Sequence, residues 1–391
     1  QAGRWTDYKD VIIPLNDLID QYGQAIVDTI PAADWVKCTD PDGNIMCVPR
    51  ATASNPYITW VRQDWLTELS LDVPTTVEEL EATVAAFKEA HPDSFIATRP
   101  ADYAKASVAG WTEYGFSNWP DPEDGNRIKP WILQEGVKDW AAKLNEWWNN
   151  GWFYGDTFTS FQEPELFRTC NIGVWMGWYS RITLIVPQIQ DGCPGIEYTR
   201  TSITGPMGYL ATVNQQTTSG YVVTKKSQNP EANIQFLNWL YADVENDITA
   251  RYGIKDKHWW WVDEANKIVD RDLESGYVSE FTLPNPIIEV RYSVLDPGRA
   301  WHVEYLGTQL RDLSDAKMPY DATVPYDESR IADEVVGLGD IQRLIDEQTI
   351  LFITGSRPLD QWDSFVEDLY RAGMDDWINS LTTQYHEITG M

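Results

Sequence analysis

Segments with the apolar pattern of β-strands alternate with amphipathic helices along the chain, and this alternation constrains the fold more than any other feature. The best-marked helix is predicted within residues 73–92 (VPTTVEELEATVAAFKEAHP), where Thr76 and Glu79 form a capping box and Pro92 ends the apolar repeat. The segment before it, YITWVRQDWLTEL, predicts a strand that turns into a short helix. Such alternation indicates an α/β fold, with helices layered on a sheet.

The second half of the chain continues this pattern. SGYVVTKKSQNPEANIQFLNWLYAD predicts a strand and then a helix with Asn229 as its cap and Pro230 as its first residue. PLDQWDSFVEDLYRAG and MDDWINSLTTQYHEI predict two amphipathic helices near the C-terminal end. The 391 residues suit two lobes of roughly 150 to 200 residues each. Four tryptophans on predicted helix stripes are predicted to be core residues: Trp65, Trp140, Trp239 and Trp362.

A run of three tryptophans occurs in KDKHWWWVDEANKIVDRD. Charged residues flank it on both sides, and no segment of the chain approaches the roughly 18 apolar residues of a membrane span. A membrane anchor is therefore excluded for this run. We predict a β-hairpin with a turn near residues 263–266, in which Trp259 and Trp261 share one face and His258 and Trp260 the other.

The formal net charge of −30 makes the surface strongly acidic. Such a surface repels nucleic acid and anionic membranes, so neither is predicted as a partner.

Four cysteines fit two disulfides formed in an oxidising compartment, and three connectivities are possible. Cys38 and Cys47 flank TDPDGNIM, whose Asp-Gly pair is a tight-turn signal that would bring their sulfurs together. Cys170 would then pair with Cys193. The cysteines form no C-x-x-C pair, so structural zinc is not predicted.

The sequence lacks the common enzyme signatures H-E-x-x-H, G-x-S-x-G, the Walker loop and G-x-G-x-x-G. The four histidines have no metal-ligand spacing, so we predict no catalytic residue, metal or cofactor. Tryptophan and tyrosine are abundant, with 20 and 19 residues. Their flat apolar faces stack on sugar rings, while their polar tips reach hydroxyl groups. A glycoside hydrolase stays open as an alternative, because its two carboxylates are defined in space and not by a motif.

Four sequence blocks together span nearly the whole chain, and several of them have a specific spacing of residues. They are VIIPLNDLIDQYG…TDPDGNIMCVPR…ITWVRQDWLTELSLDVPTTVEELEATVAAFKEAHPD, then CNIGVWMGWYSRITLIVPQI, then TGPMGYLATVNQQTTSGYVVTKKSQNPEANIQFLNWLYADVENDITARYGIKDKHW, and finally LFITGSRPLDQWDSFVEDLYRAGMDDWINSLTTQYHE. These blocks resemble the family 1 extracellular solute-binding proteins of ABC importers. The resemblance is closest to the lipoprotein-like, oligosaccharide-binding branch that includes alginate-oligosaccharide-binding proteins.

The resemblance implies a periplasmic-binding-protein-like fold of type II, with two α/β lobes joined by crossing hinge segments. Lobe 1 would hold residues 1–52 and 218–288, and lobe 2 residues 53–217 and 289–391. The lobes would close on the ligand by a hinge motion. The closed form would deliver an oligosaccharide to a membrane permease without performing any chemistry.

The sequence departs from the family pattern in two places. The family opens with a strand-helix-strand unit ahead of the PLNDLI helix, and this opening is absent here, so lobe 1 is expected to be incomplete. The alginate binders also carry a calcium loop after the capping-box helix, where this chain reads HPDSFIATRPADYA. That segment has too few oxygen ligands, and calcium is not expected.

The ligand-binding residues are predicted by the same resemblance. The segment GVWMGWYSR aligns with a strand and turn that carry cleft aromatics in sugar-binding relatives, and the strand ITWVR crosses near it. Two arginines in range would suit an acidic sugar, although the charge of the chain argues against one. The predicted ligand-binding residues are Trp60, Arg62, Trp111, Trp175, Trp178, Tyr179, Arg181, Tyr292 and Trp301.

The predicted location is the outer face of the cell membrane or the periplasm, with an N-terminal signal removed and a lipid anchor as one means of attachment. The partners would be an oligosaccharide and an ABC permease, and the protein would be a monomer. Besides the hydrolase, a surface or adhesion protein that reuses this fold is the alternative function. The sequence does not name the sugar, and peptides stay open as ligands.

Overall fold

The structure of the chain is a computed structural model. Its described residues are 5–30, 32–49, 57–98, 110–112, 118–158, 163–178, 181–201, 203–208, 220–277, 293–294 and 324–391.

The described strands are short and are numbered in chain order. They are β1 (Val48–Pro49), β2 (Tyr57–Arg62), β3 (Phe95–Thr98), β4 (Trp119–Asp121), β5 (Arg127–Lys129), β6 (Ile172–Trp178), β7 (Tyr198–Thr201), β8 (Gly220–Tyr221), β9 (Trp259–Asp263), β10 (Ile268–Arg271) and β11 (Ser293–Val294).

The described α-helices are numbered in the same way. They are α1 (Asn16–Tyr22), α2 (Gln24–Thr29), α3 (Ala32–Trp35), α4 (Gln63–Leu69), α5 (Val77–Ala90), α6 (Val137–Asn149), α7 (Glu163–Phe167), α8 (Arg181–Ile189), α9 (Pro230–Ala242), α10 (Val244–Tyr252), α11 (Glu328–Glu334), α12 (Leu338–Ile353), α13 (Trp362–Arg371) and α14 (Met374–Thr389).

The central sheet has the strand order β3-β6-β2-β7. Strand β2 is antiparallel to both of its neighbours, and β3 is parallel to β6. Val61, Val174 and Met176 belong to a large hydrophobic core that also holds residues of α5, α6 and α12 to α14. Trp60 and Trp175 belong to a second core with residues of α7 and α8. Cores on both sides of the sheet confirm the predicted α/β architecture.

A separate hydrophobic core joins the beginning of the chain to the segment after residue 220. It packs Leu15, Ile26 and Val48 against Val223 and Leu237. The pairing of β1 with β8 ties the same two segments together. Three of the five hydrophobic cores of the described residues therefore fall into two groupings, residues 15–48 with 221–250 and residues 60–203 with 324–388.

The predicted hairpin around the three tryptophans is confirmed. Strands β9 and β10 are antiparallel, with the turn at residues 264–267. The rings of Trp259 and Trp261 meet edge to face at 5.7 Å, and Trp259 is fully buried. Trp260, which points to the other face, is 37% exposed.

Two further local predictions are confirmed. Thr76 and Glu79 form the capping box at the start of α5, because each side chain accepts a backbone amide proton of the other residue. The disulfides are Cys38–Cys47 and Cys170–Cys193.

Two predictions about α9 are corrected by the structure. Asn229 occupies the cap position, but its side chain makes no capping hydrogen bond. Trp239 is 40% exposed and not a core residue. The apolar stripe of α9 that reaches the core runs through Ile234 and Leu237, and Trp239 instead stacks on Phe236 at 5.9 Å.

Of the helices in the described ranges, none combines the length and the apolar character needed to cross a membrane.

Candidate functional site

Three strands of the central sheet end at the same edge. Because β2 is antiparallel to β6 and β7, and β3 is parallel to β6, the strands β3, β6 and β7 all run toward the edge at which β2 begins. Trp178, the last residue of β6, is the register partner of Tyr57, the first residue of β2. We call this the carboxyl edge. In open α/β sheets, ligands bind in the crevice outside the carboxyl ends of strands.

The start of α5 and the end of β7 meet at the carboxyl edge. The Thr201 hydroxyl donates a hydrogen bond to the carbonyl of Pro74, and Thr76 forms a β-bridge with Thr204. Thr201 is buried, with only 8% of its surface exposed. These contacts fix the chain that leaves β7 beside the N-terminal turn of α5.

Two glycines allow the backbone of residues 110–111 to pack close to this edge. A Cβ atom on Gly205 would lie 1.9 Å from the carbonyl oxygen of Gly110, and one on Gly136 would lie 2.2 Å from the carbonyl oxygen of Trp111. No side chain fits at either place, so glycine permits the backbones to approach. Because Gly205 follows the bridged Thr204, Trp111 lies near the carboxyl edge, with its ring half-buried.

Of the predicted segment 178–181, the structure describes the backbone of Trp178 and Arg181. Trp178 ends β6 at the carboxyl edge, and Arg181 is the first residue of α8. The side chains of Trp178 and Arg181, and the whole of Tyr179, lie outside the described part of the structure, as do Tyr292 and Trp301. Their contacts with a ligand stay predictions.

Trp60 and Trp175 are placed differently from the sequence prediction. They are register partners in the middle of β2 and β6, and they are only 5% and 1% exposed. The ring of Trp175 packs on Phe167 with centroids 5.3 Å apart. Both rings fill the core beneath α7 and α8, so the structure corrects the prediction that they present a face to a ligand.

Arg62 is also corrected, because it lies at the opposite edge of the sheet, where β2 ends. Its guanidinium donates two hydrogen bonds to the carboxylate of Asp64, at 2.6 and 2.8 Å, and one to the carbonyl of Cys170 at 2.6 Å. It also lies 3.9 Å from the centroid of Trp65. With the side chain 6% exposed, these donors are occupied inside the protein.

Tyr198 completes this opposite edge beside Arg62. Its hydroxyl donates to the carbonyl of Ile172 at 2.7 Å. Burial, as the main cause, raises the pKa of the Tyr198 hydroxyl well above its usual value, so the group stays neutral. Arg62 and Tyr198 therefore tie β2, β6 and β7 together structurally.

Sequence reasoning missed several residues that shape the carboxyl edge, above all Gly136, Gly205 and Thr201. Their signals were weak, because glycines within GPMG and QEGV resemble ordinary turn residues. Among the described residues, no group of three or more His, Cys, Asp or Glu side chains is placed to hold a metal ion.

No protein-family model matches the chain. It is 34% identical over 97 residues to the fructooligosaccharide ABC transporter substrate-binding protein FusA of Streptococcus pneumoniae, a match that covers 22% of this chain and 18% of FusA. It is 22% identical over 331 residues to the polygalacturonan/rhamnogalacturonan-binding protein YtcQ of Bacillus subtilis, covering 80% of this chain and 64% of YtcQ. The matches span less than two thirds of either relative.

Solved structures match the fold over almost the whole chain. The alginate-binding protein AlgQ2 superimposes with a TM-score of 0.66 at 18% identity, over 97% of this chain and 83% of that protein. FusA in complex with kestose superimposes with a TM-score of 0.65 at 17% identity, over 100% of this chain and 87% of that protein.

The chain therefore has the two-lobe α/β fold of solute-binding proteins, as the sequence predicts. Within that class it is similar to the oligosaccharide-binding proteins of ABC importers. The family resemblance drawn from the sequence blocks is thus confirmed, and the relatives named here are described as binding proteins and not as enzymes.

Proposed function

We propose that the protein captures an extracellular oligosaccharide in a cleft between two lobes and delivers it to the membrane permease of an ABC importer. The observation that carries this proposal is the fold, which matches saccharide-binding members of the class over 97% and 100% of the chain. The carboxyl edge of the central sheet is the place in this fold where a ligand fits best.

The two lobes are residues 1–52 with 218–288 and residues 53–217 with 289–391. The separate grouping of the hydrophobic cores supports this division, because residues 15–48 pack with 221–250, while residues 61–203 pack with 324–388. The chain passes between the two groupings three times, between residues 48 and 60, between 203 and 221, and between 250 and 324. Hinge bending at such crossings closes the cleft.

An oligosaccharide is the ligand class that the chemistry favours. The related proteins are described as binding fructooligosaccharide, polygalacturonan or rhamnogalacturonan, and alginate. The proposed ligand contacts are Trp111, Trp178, Tyr179 and Arg181 at the carboxyl edge, together with Tyr292 and Trp301. Aromatic rings would stack on the sugars, and Arg181 would donate to a hydroxyl or a carboxylate.

The same proposal places the protein outside the cytoplasm, at the outer face of the membrane or in the periplasm, with a lipid anchor as one mode of attachment. Its two disulfides support an oxidising compartment. It would work as a monomer. It would need no cofactor, because capture and release require no chemical step.

A screen of oligosaccharide pools tests this function. The purified chain is incubated with fructooligosaccharides, pectin-derived oligogalacturonides and alginate oligosaccharides, each with its monosaccharide mixture as a control. Melting temperature reports binding, because a ligand that binds only the folded state raises it. Mass spectrometry of the sugars reports cleavage.

We expect one pool to raise the melting temperature while its sugars stay intact. Cleavage would replace the proposal with a glycoside hydrolase. No shift with any glycan would overturn it in favour of a surface or adhesion protein.

A further inference from the structure

A cavity of about 580 Å³ is formed by residues 121–139 and 362–378. None of the predicted ligand residues lines it. The β4–β5 hairpin and the segment 132–136 form one wall, and α13 and α14 form the other. Its volume falls within the roughly 300–1,000 Å³ of small-molecule sites. The cavity is therefore large enough for one or two sugar rings.

The cavity is lined by buried apolar residues and by more exposed charged residues, which we call the rim. Ile128, Ile132 and Ile378 are the buried residues, and Tyr370, which is 42% exposed, adds an accessible ring from α13. A ring face beside polar groups is the combination that suits a saccharide, since its C–H face is apolar and its edge carries hydroxyls.

The charges of the rim argue against a charged ligand. Asp121, Asp124, Glu135 and Asp139 supply four carboxylates, and the cations of Arg127, Lys129 and Lys138 lie among them. An anion would meet the carboxylates, and a cation would meet the basic groups. A neutral hydroxyl group can use both, because it accepts from ammonium or guanidinium groups and donates to carboxylates.

The rim groups are also open to a ligand. Arg127 pairs with Asp375 at 3.1 Å, and Lys138 with Asp363 at 3.3 Å, and all four side chains are at least 43% exposed. Exposed ion pairs of this kind contribute little and rearrange readily.

The cavity adjoins the backbone of one proposed cleft residue. Gly136 lines the cavity, and a Cβ atom on Gly136 would lie 2.2 Å from the carbonyl oxygen of Trp111. The cavity also lies at the N-terminal end of α6, which begins at Val137.

We propose that this cavity is a second saccharide site, which takes a neutral sugar ring against Tyr370 and hydrogen-bonds its hydroxyls through Asp139 and Lys129. The proposal rests on the proposed function in taking the ligand to be a saccharide. It assigns residues that the cleft proposal does not use.

Saturation-transfer difference NMR with glucose, galactose, mannose and fructose tests the site. The wild-type chain is compared with Tyr370→Ala and Asp139→Asn, and with Tyr8→Ala as a matched control, because Tyr8 is 47% exposed and does not line the cavity. Both Tyr370 and Asp139 are exposed helix residues, so their variants should fold, and circular dichroism checks this.

We expect at least one monosaccharide to show transfer in the wild type and in Tyr8→Ala, with about a fivefold loss of affinity in Tyr370→Ala, as the loss of one stacking contact implies. Equal transfer in the Tyr370 and Asp139 variants, or no transfer in the wild type, would overturn the second site. Failure of the cleft proposal would appear separately, as a melting shift that is no larger with any oligosaccharide pool than with its monosaccharide mixture.

Discussion

The backbone of Gly177 lies directly against the indole ring of Trp175, two residues earlier on β6. A Cβ atom on Gly177 would lie 2.7 Å from Cζ2 and 2.9 Å from Cε2 of that ring. The Trp175 ring thus extends along β6 toward the carboxyl edge, and it occupies the space that a side chain at position 177 would need. Gly177 is therefore required for the packing directly before Trp178.

Gly177→Ala should destabilise the protein by about 1–3 kcal/mol, because the added methyl overpacks a buried ring. Urea unfolding measures the loss. Gly339→Ala is the matched control, since Gly339 has open space around it in α12, and alanine there should be neutral or stabilising. If both substitutions change the free energy of unfolding equally, the Trp175 ring does not clash with a methyl group at position 177.

Trp175→Ala and Trp178→Ala should have opposite consequences. Trp175 is 1% exposed, so its loss should cost about 3–5 kcal/mol of stability through the cavity it leaves. Trp178→Ala should leave the fold intact and weaken binding of the oligosaccharide found in the screen by about tenfold. Calorimetric titration and thermal melting separate the two. If Trp178→Ala instead unfolds the protein, and its folded fraction binds the oligosaccharide with unchanged affinity, then Trp178 is a core residue.

Trp259→Ala should cost about 3–5 kcal/mol, because the ring is fully buried and its Nε1 donates to the carbonyl of Gly253 at 2.9 Å. The neighbouring Trp260→Ala should change stability by no more than about 0.5 kcal/mol, since that ring is 37% exposed. Parallel thermal melts compare them. Similar losses would mean that both faces of the hairpin are packed.

Glu245 makes part of the stability depend on pH. Hydrogen bonds, first from Lys255 and then from Trp261, lower the pKa of its carboxyl below the ordinary 4.5. A lowered folded-state pKa stabilises the fold above the unfolded-state value, and this contribution disappears as pH falls through the folded-state value.

Glu245→Gln should therefore cost about 0.5 kcal/mol near neutral pH, a small effect because solvent screens the half-exposed ion pair. The difference from wild type should vanish in acid, below the lowered pKa. Urea unfolding across that range measures it, with a substitution at the exposed Glu274, Glu274→Gln, as the matched control. A difference that persists in acid would mean that the carboxylate charge is not its cause.

Removing the disulfides should destabilise the fold unequally. By the loop-entropy relation, Cys170–Cys193, which closes 23 residues, contributes roughly 3.4 kcal/mol, and Cys38–Cys47, which closes nine, roughly 2.6 kcal/mol. The double alanine variants, compared by chemical unfolding, test the order. Non-reducing digestion with mass spectrometry checks the pairing, and four free thiols would contradict it.

The sequence by itself determined the features that depend on residues close in the chain. The capping box of Thr76 and Glu79, the hairpin that contains Trp259 and the pairing of Cys38 with Cys47 each join residues no more than 12 positions apart. The 3.6- and 2-residue apolar periods also fixed the α/β class, because a helix or a strand must bury its own apolar face.

Tertiary structure alone decided which aromatic and charged side chains are covered. Trp60 and Trp175 are residue types that are common in sugar sites, but α7 and α8 pack over them. Arg62 forms an ion pair with Asp64 and donates a hydrogen bond to a carbonyl that is 108 residues away in sequence. Trp239 has the spacing of a core residue, yet it is 40% exposed and stacks on Phe236. Burial is a property of what packs against a residue, and local sequence does not specify that partner.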